Sequence, residues 1–427
     1  MLRGKAAVAV IGGGWAGLAA AIEATLKGHA VTLFEMAAQL GGRARRVDVD
    51  GLALDNGQHI FIGAYTQTMR LMRTVGVDPA DAFVRTPLRL TYPDGHGLQL
   101  PAGSPMVAFV RGVLAQRGWS MAERLRLLAA AGGWALHRFE CDGALTVAEL
   151  TSGLSKAVRD DLVDPLCVAA LNTPSQAASA SVFLRVVRDA LFAGPGSADL
   201  LLPKMRLTEL LPGPAAQWLE RAGAQIRLSH RVAELTPSGS AWRVDGAPFD
   251  HVVIATTAVE AGRLLEPIAP QWSATAAALR YEPIVTVYVR CDGMRLPQPM
   301  LALRSDAQQW PAQFVFDHGQ LGGSDGLLAF VISGAQPWVD RGMAATLAAT
   351  LDQAQQMLGG HLRGALHAPR WLIEKRATFR CTPDLQRPPG RIAPGLFAAG
   401  DYVKGPYPAT LEGAVRSAVE AIRALTP

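Results

Sequence analysis

Ala7-Val8-Ala9-Val10-Ile11-Gly12-Gly13-Gly14-Trp15-Ala16-Gly17-Leu18 is the stretch whose reading decides the fold. Residues 6–11 form a short β-rich run, read as a buried parallel strand. Gly12, Gly14 and Gly17 then spell Gly-x-Gly-x-x-Gly. Gly12 permits the tight turn out of the strand, Gly14 lets backbone approach a pyrophosphate, and Gly17 lets the following helix pack close to the strand. A helix starting at Trp15 and Ala16 presents free N–H groups and a positive dipole end to an anion. Helical character over 16–27 stops at Lys27-Gly28. Val31-Thr32-Leu33-Phe34-Glu35 is the second strand, and Glu35 lies 23 residues beyond Gly12. A carboxylate there accepts hydrogen bonds from an adenosine ribose and disfavours a 2′-phosphate, which argues against NADP. A glycine match alone is weak evidence. Strand, helix, second strand and terminal acid in register make it specific.

Three further segments extend this reading. Gln39-Leu40-Gly41-Gly42-Arg43-Ala44 places two glycines and an arginine directly after the ribose acid, so Gly42 suits a second backbone approach and Arg43 a pyrophosphate charge. Leu54-Asp55-Asn56-Gly57-Gln58-His59 follows; a lone histidine is more often structural, and a catalytic role for His59 rests only on its place beside the cofactor ring. Near the other end, Leu396-Phe397-Ala398-Ala399-Gly400-Asp401 reads as a strand ending in a carboxylate suited to ribityl or phosphate oxygens. Ala409, Thr410 and Leu411 then open a helix whose dipole can face a flavin pyrimidine edge, where reduction builds negative charge. Val232, past a strand at 224–228, joins these residues as a cofactor-contacting candidate. The two ends together predict non-covalent FAD.

The chain has 427 residues, 49% of them apolar and 18% charged, enough for two or three domains with a sizeable core. Mean hydropathy is slightly positive, which hints at an apolar substrate or a membrane-facing surface. A net charge of +5 gives no reason to invoke nucleic acid. Basic residues do gather at Arg111, Arg117, Arg124, Arg126 and Arg138 among apolar neighbours; a solvated helix face and contact with anionic lipid both fit. Four scattered cysteines, Cys141, Cys167, Cys291 and Cys381, indicate neither a metal site nor a redox dithiol, and predict a reducing compartment. The N-terminal apolar run is too short for a signal peptide, and no stretch reaches the ~18 uninterrupted apolar residues of a membrane span.

Residues 63–200 read as mainly helical, 206–223 as a helix, 251–256 as a buried strand, 281–335 as antiparallel sheet, and 341–358 and 410–424 as helices. The expected fold is therefore α/β: a discontinuous Rossmann-type FAD-binding domain (1–62, 201–262 and 370–427) with an inserted substrate domain (63–200 and 263–369) made of a helical part plus antiparallel sheet.

The two ends resemble the FAD-dependent amine oxidase and phytoene desaturase superfamily. Pro165-Leu166-Cys167, Ala170-Leu171-Asn172-Thr173-Pro174 and Pro408-Ala409-Thr410-Leu411-Glu412-Gly413-Ala414-Val415-Arg416-Ser417, taken with the flavin motifs, are similar to one branch, the hydroxysqualene dehydroxylases of bacterial squalene and hopanoid synthesis. Ala418 departs from the glycine common there, and Lys404 and Tyr407 are atypical. The resemblance implies a long isoprenoid hydrocarbon substrate and reductive removal of an allylic hydroxyl, with hydride passing from reduced flavin N5 to an allylic cation. It also implies a cytoplasmic enzyme, peripheral on the inner membrane face and near other squalene-pathway enzymes. Covalent flavin in the superfamily usually uses a cysteine, and residues 395–417 contain none. Because their motifs should border the flavin, His59 and Tyr407 are the catalytic candidates. A carotenoid-type desaturation, an amine oxidase-like reaction and a non-catalytic flavin or prenyl-lipid binder are the alternatives.

Overall fold

The computed structural model describes residues 5–49 and 51–425; the expected domain limits at 1 and 427 lie outside them. Its organising element is a six-stranded sheet in the order Gln225–Arg227, Ala30–Phe34, Ala7–Ile11, His251–Ile254, Leu396–Ala398, Arg391–Ala393. The first five strands run parallel and the last pairs antiparallel. In the central strand Val10 stands opposite Leu33 on one side and Val253 on the other. Successive side chains alternate between faces. Val8 and Val10 pack under the helices Trp15–Leu26 and Leu411–Ala424, while Ala9 and Ile11 enter a second core shared with the rest of the molecule. Ala19, Ala20, Ala21 and Ala24 are all fully buried, so the first helix lies close to the sheet and to the closing helix. Strands from the beginning, middle and end of the chain thus form one parallel sheet, the discontinuous Rossmann-type arrangement expected.

A second, five-stranded antiparallel sheet holds Met300–Ala302, Phe314–Asp317, Leu327–Ile332, Tyr281–Arg290 and His367–Phe379, in that order. In Tyr281–Arg290 the alternation separates two environments. Val285, Val287 and Val289 pack toward the helix Met343–Leu358, whereas Ile284 and Thr286 face a cavity. The expected boundary at 370 falls inside His367–Phe379. Backbone bonds tie that strand to Tyr281–Arg290 from one end to the other, so it goes with the antiparallel sheet through Phe379. The boundary at 200 likewise falls at the start of Leu200–Pro203, which pairs with Phe61–Ile62 and Phe83–Thr86.

The 63–200 region is largely helical, but it also holds the strands Phe83–Thr86, Arg89–Thr91 and Gly97–Gln99. Each is too short to establish a period in sequence. The 206–223 helix is broken into Leu207–Leu210 and Pro212–Arg221 where Pro212 leaves Leu211 outside helical geometry.

Candidate functional site: a cofactor cleft joined to an apolar tunnel

One cavity of about 910 Å³ runs from the parallel sheet into the space between the helical region and the antiparallel sheet. Its first half is built largely of backbone. Gly12 has φ +107°, and a Cβ there would lie 2.6 Å from Ala255 O. At Gly17 a Cβ would meet Gly12 O at 1.8 Å. Both glycines are therefore required by the protein's own packing. Gly14 differs: its Cβ would meet nothing nearer than Gly42 Cα at 3.8 Å. Nothing in the folded chain demands a glycine at 14; a ligand passing over it would. Gly42, at φ +59°, closes on Gly14 from the second glycine loop, held by Gly41 N–H donating to Gly13 O at 2.8 Å.

Other elements converge on the same cleft. Trp15 Nε1 donates to Ala44 O at 2.9 Å, locking the two loops together beside Ala16. The Glu35 carboxylate is buried and accepts from Gly13 N (2.6 Å) and Ala37 N (2.7 Å), so it stands at the strand end facing the cleft. Val232 is buried beside it. The closing helix begins at the cavity with Thr410 as its cap, Oγ1 accepting from Gly413 N at 3.0 Å, flanked by Ala409 and Leu411. Buried Glu412 takes Thr68 N, Thr68 Oγ1 and Arg416 Nε as donors, which fixes that helix start against the Thr66–Thr74 helix. Gly400 N–H donates to Ser417 Oγ at 2.8 Å. A dinucleotide fits this donor set, with one helix N-terminus at each end of the cleft and an open glycine track between.

Two of the expected cofactor-contacting residues also bind each other. Arg43 lines the cavity, and its guanidinium also donates to Asp401 Oδ2 (2.7 Å), Ala377 O (2.7 Å) and Arg376 O (3.1 Å), partners the sequence did not suggest. Asp401, which also lines the cavity, is engaged by Arg43 through Oδ2. The pair joins the last parallel strand to the antiparallel sheet across the cleft.

Beyond the cleft the cavity turns apolar, lined by residues such as Leu90, Leu162, Phe183, Val187, Met300 and Phe316. His59 and Tyr407 both sit at the junction. His59 Nδ1 lies 3.1 Å from Gly57 O; a carbonyl only accepts, so Nδ1 carries the hydrogen and Nε2 is left bare. Burial holds this imidazole below its usual pKa, hence neutral. The half-buried Tyr407 hydroxyl accepts from Arg185 Nη2 at 2.8 Å. Arg185 grips Asp189 through Nε, at 3.1 Å to each carboxylate oxygen. Burial, then the bond to Asp189, raises the Tyr407 pKa. Sequence reasoning missed Arg185 and Asp189; their only signal was a charged pair four residues apart on the helix Ala180–Phe192, which also carries Arg188. Thr286 Oγ1 also faces the cavity, buried and without a hydrogen-bond partner among the described residues. No cysteine lines the cavity, and burial pushes the nearby Cys381 thiol up to about 12.

The Asn172-Thr173-Pro174 segment gains a structural account. Asn172 ends its helix in a left-handed conformation (φ +48°), a geometry asparagine tolerates better than most residues. Its amide donates to Thr378 Oγ1 (2.9 Å) and accepts from Gly334 N (2.7 Å). Thr173 Oγ1 accepts from Cys381 N (3.0 Å). The helical layer is thereby bolted to the antiparallel sheet at the tunnel wall.

The profile of the family described as flavin containing amine oxidoreductase matches residues 15–426. The chain belongs to this family. It is accordingly a FAD-dependent oxidoreductase. Among characterised relatives of this flavoprotein, hydroxysqualene dehydroxylases from Sinorhizobium fredii and Rhodopseudomonas palustris are each 28% identical, covering 96% of both chains. A zeta-carotene desaturase from Zea mays is 41% identical, but only over 17% of this chain and 13% of its own. Among solved structures, an oxidoreductase from Methanosarcina mazei superposes with a TM-score of 0.73 at 15% identity, covering 98% of this chain and 100% of its own, which establishes the shared fold.

Proposed function

We propose that this flavoprotein removes the allylic hydroxyl of hydroxysqualene reductively to give squalene. The observation that carries the reading is the cavity itself: a tunnel lined mainly by hydrocarbon that becomes polar where it meets the cofactor cleft, at His59, Tyr407 and Asp189, with Arg185 bonded to Tyr407 behind them. End-to-end similarity to proteins named hydroxysqualene dehydroxylase supports it. Overall, an alcohol, a proton and a hydride give a hydrocarbon and water, and a two-electron donor must then reload the cofactor. Reduced FAD, when bound, supplies the hydride.

The chain's own residues supply alignment, dryness and the proton. Apolar walls hold the isoprenoid and exclude bulk water, so the allylic carbon that loses its hydroxyl as water would meet hydride rather than solvent. Tyr407 Oη holds a proton at the polar junction, with Arg185 and Asp189 fixing its direction. Neutral His59 offers only an acceptor at Nε2, so it suits orientation of the substrate hydroxyl rather than its protonation.

The purified enzyme, supplied with hydroxysqualene under dithionite-reduced, anaerobic conditions, is expected to form squalene with oxidation of one flavin per product. Unchanged hydroxysqualene beside reduced flavin would refute the assignment. Tyr407→Phe is expected to keep full flavin occupancy and lose roughly 10²-fold or more in turnover; a rate within threefold of the native enzyme would remove Tyr407 from the proton path. With no cysteine on the cavity wall, acid precipitation is expected to release all the flavin to the supernatant, and colour left in the pellet would indicate a covalent link.

A further inference from the structure

Of the twelve large apolar side chains that are exposed among the described residues, seven fall between 106 and 136. They sit on two adjacent helices, Pro105–Ala115 and Met121–Leu136. Val107, Val110 and Leu114 project from the first; Met121, Leu125 and Leu136 (85% exposed) project from the second. A folded chain seldom leaves so many large apolar groups together in water without a partner for them. The same pair of helices walls the tunnel from inside, through Phe109, Leu127 and Trp134. Within this helix pair three residues are both exposed and part of the cavity lining: Met106, Val110 and Gly132. Gly132 has nothing within 4 Å of a would-be Cβ. Residues that meet solvent on one side and the cavity on the other mark its mouth.

The charge around this mouth is one-sided. Between 104 and 140 there are five arginines and two acids, Glu123 and Glu140. Glu123 is tied to Ser120 in the cap of the second helix. Arg111, Arg117, Arg126 and Arg138 are exposed. Arg124 is not free to act with them, since it donates to Leu114 O (2.8 Å) and Trp119 O (3.0 Å), bracing the turn between the helices. No helix among the described residues is long and apolar enough to cross a membrane.

We propose that the helix pair Pro105–Ala115 and Met121–Leu136 docks on the surface of an anionic lipid bilayer and seats the tunnel mouth at Met106, Val110 and Gly132 against the hydrocarbon layer. Apolar side chains enter the acyl boundary while the arginines meet lipid phosphates, the usual physics of a helix lying in the interface. The link between docking and substrate entry rests on the proposed hydrocarbon substrate: a molecule nearly insoluble in water would pass from lipid to tunnel without crossing solvent. Self-association through the same face or capture by a partner protein would cover the apolar groups equally well. Neither calls for the arginines around the mouth, and anionic phosphate does.

The test is co-sedimentation of the flavin-loaded, full-length protein with vesicles of mixed phosphatidylglycerol and phosphatidylcholine, against vesicles of phosphatidylcholine alone. The native protein is expected to pellet with the anionic vesicles, and to be released near ~1 M salt, where the Debye length is ~3 Å. Val107→Glu with Leu125→Glu should weaken binding at least tenfold. Arg117→Glu and Arg126→Glu should each weaken it about fivefold. None of these four residues lines the cavity, so flavin content and turnover of detergent-dispersed hydroxysqualene should stay unchanged. Equal recovery in the supernatant with and without vesicles would overturn the proposal. So would vesicle binding indifferent to the Val107→Glu, Leu125→Glu variant, or a lipid-free dimer that this variant converts to monomer. Vesicle binding without squalene formation would sink the substrate reading and leave the docking surface standing; turnover without vesicle binding would do the reverse.

Discussion

The two ends of the cavity are built on different principles. The cofactor cleft is made of backbone: glycines in close approach, strand ends and helix N-termini, with Gly12 and Gly17 each fixed by a steric demand of the fold. The tunnel is made of side chains: leucines, valines, methionines and phenylalanines that contribute volume and apolar surface, with many combinations giving a similar wall. One end constrains identity at single positions; the other constrains only a sum. The cleft should therefore break sharply under single substitutions, and the tunnel should yield gradually.

The sharpest break is inside the glycine loop. Gly17→Val would drive a Cβ into Gly12 O, with strand and helix both unable to give way, and is expected to leave little or no soluble folded protein. Gly14→Val, three residues earlier, meets only Gly42 Cα and should remain soluble while losing nearly all bound flavin. Absorbance ratios and circular dichroism of the two variants decide this. A Gly14→Val protein that stays fully yellow would dissolve the distinction between packing glycines and ligand glycines.

At the tunnel end, Phe183→Leu removes part of a buried ring from a wall of exchangeable groups. A loss of about 1–2 kcal/mol is expected in denaturant unfolding, with flavin content unchanged and KM for the isoprenoid altered more than turnover by reduced flavin. If flavin affinity fell as far as for Gly14→Val, the two ends would not be separable.

The smallest effect concerns Asp55, which belongs to a cofactor-end motif but does not line the cavity. Burial raises its pKa to about 6, although Leu207 N donates to its carboxylate at 3.0 Å. The folded state therefore holds a proton that the unfolded state releases near pH 4. This contribution to stability is present at low pH and is lost as pH rises from about 4 to about 6. Asp55→Asn should flatten that slope and raise stability at pH 7 by about 1–2 kcal/mol, read as Tm at pH 4 and pH 7, without changing flavin content.

What could be read from the sequence follows the same division. The cleft was legible because Gly12, Gly17 and Glu35 each answer a local geometric demand at a fixed spacing, and the C-terminal Gly400–Leu411 segment does likewise. The centre of the parallel sheet followed from these, since Ala7–Ile11, His251–Ile254 and Leu396–Ala398 lie in short, largely apolar runs. The partners of Arg43, namely Asp401 and the carbonyls of Arg376 and Ala377, were not legible because they come from more than 330 residues away. Arg185 and Asp189 escaped notice for the complementary reason: a charged pair on a helix is ordinary until tertiary packing turns it toward Tyr407. The strands at 83–99 and 367–379 were missed because their pairing is non-local and their burial is uneven.

The order of strands in the parallel sheet also bears on how the protein is made. Ala7–Ile11 lies between Ala30–Phe34 and His251–Ile254, and the helix over it is covered by Leu411–Ala424. Its partner Ala30–Phe34 and the second glycine loop follow soon after, but His251–Ile254 and Leu411–Ala424 emerge much later, so loop-closure entropy falls on the part of the cleft that those later segments build. Over that interval Val8, Val10 and the alanine-rich helix after them are an exposed sticky segment, a natural client for holding chaperones. Flavin availability at the moment Leu411–Ala424 docks would then influence yield, since a ligand bound only by the finished sheet pulls the final closure forward.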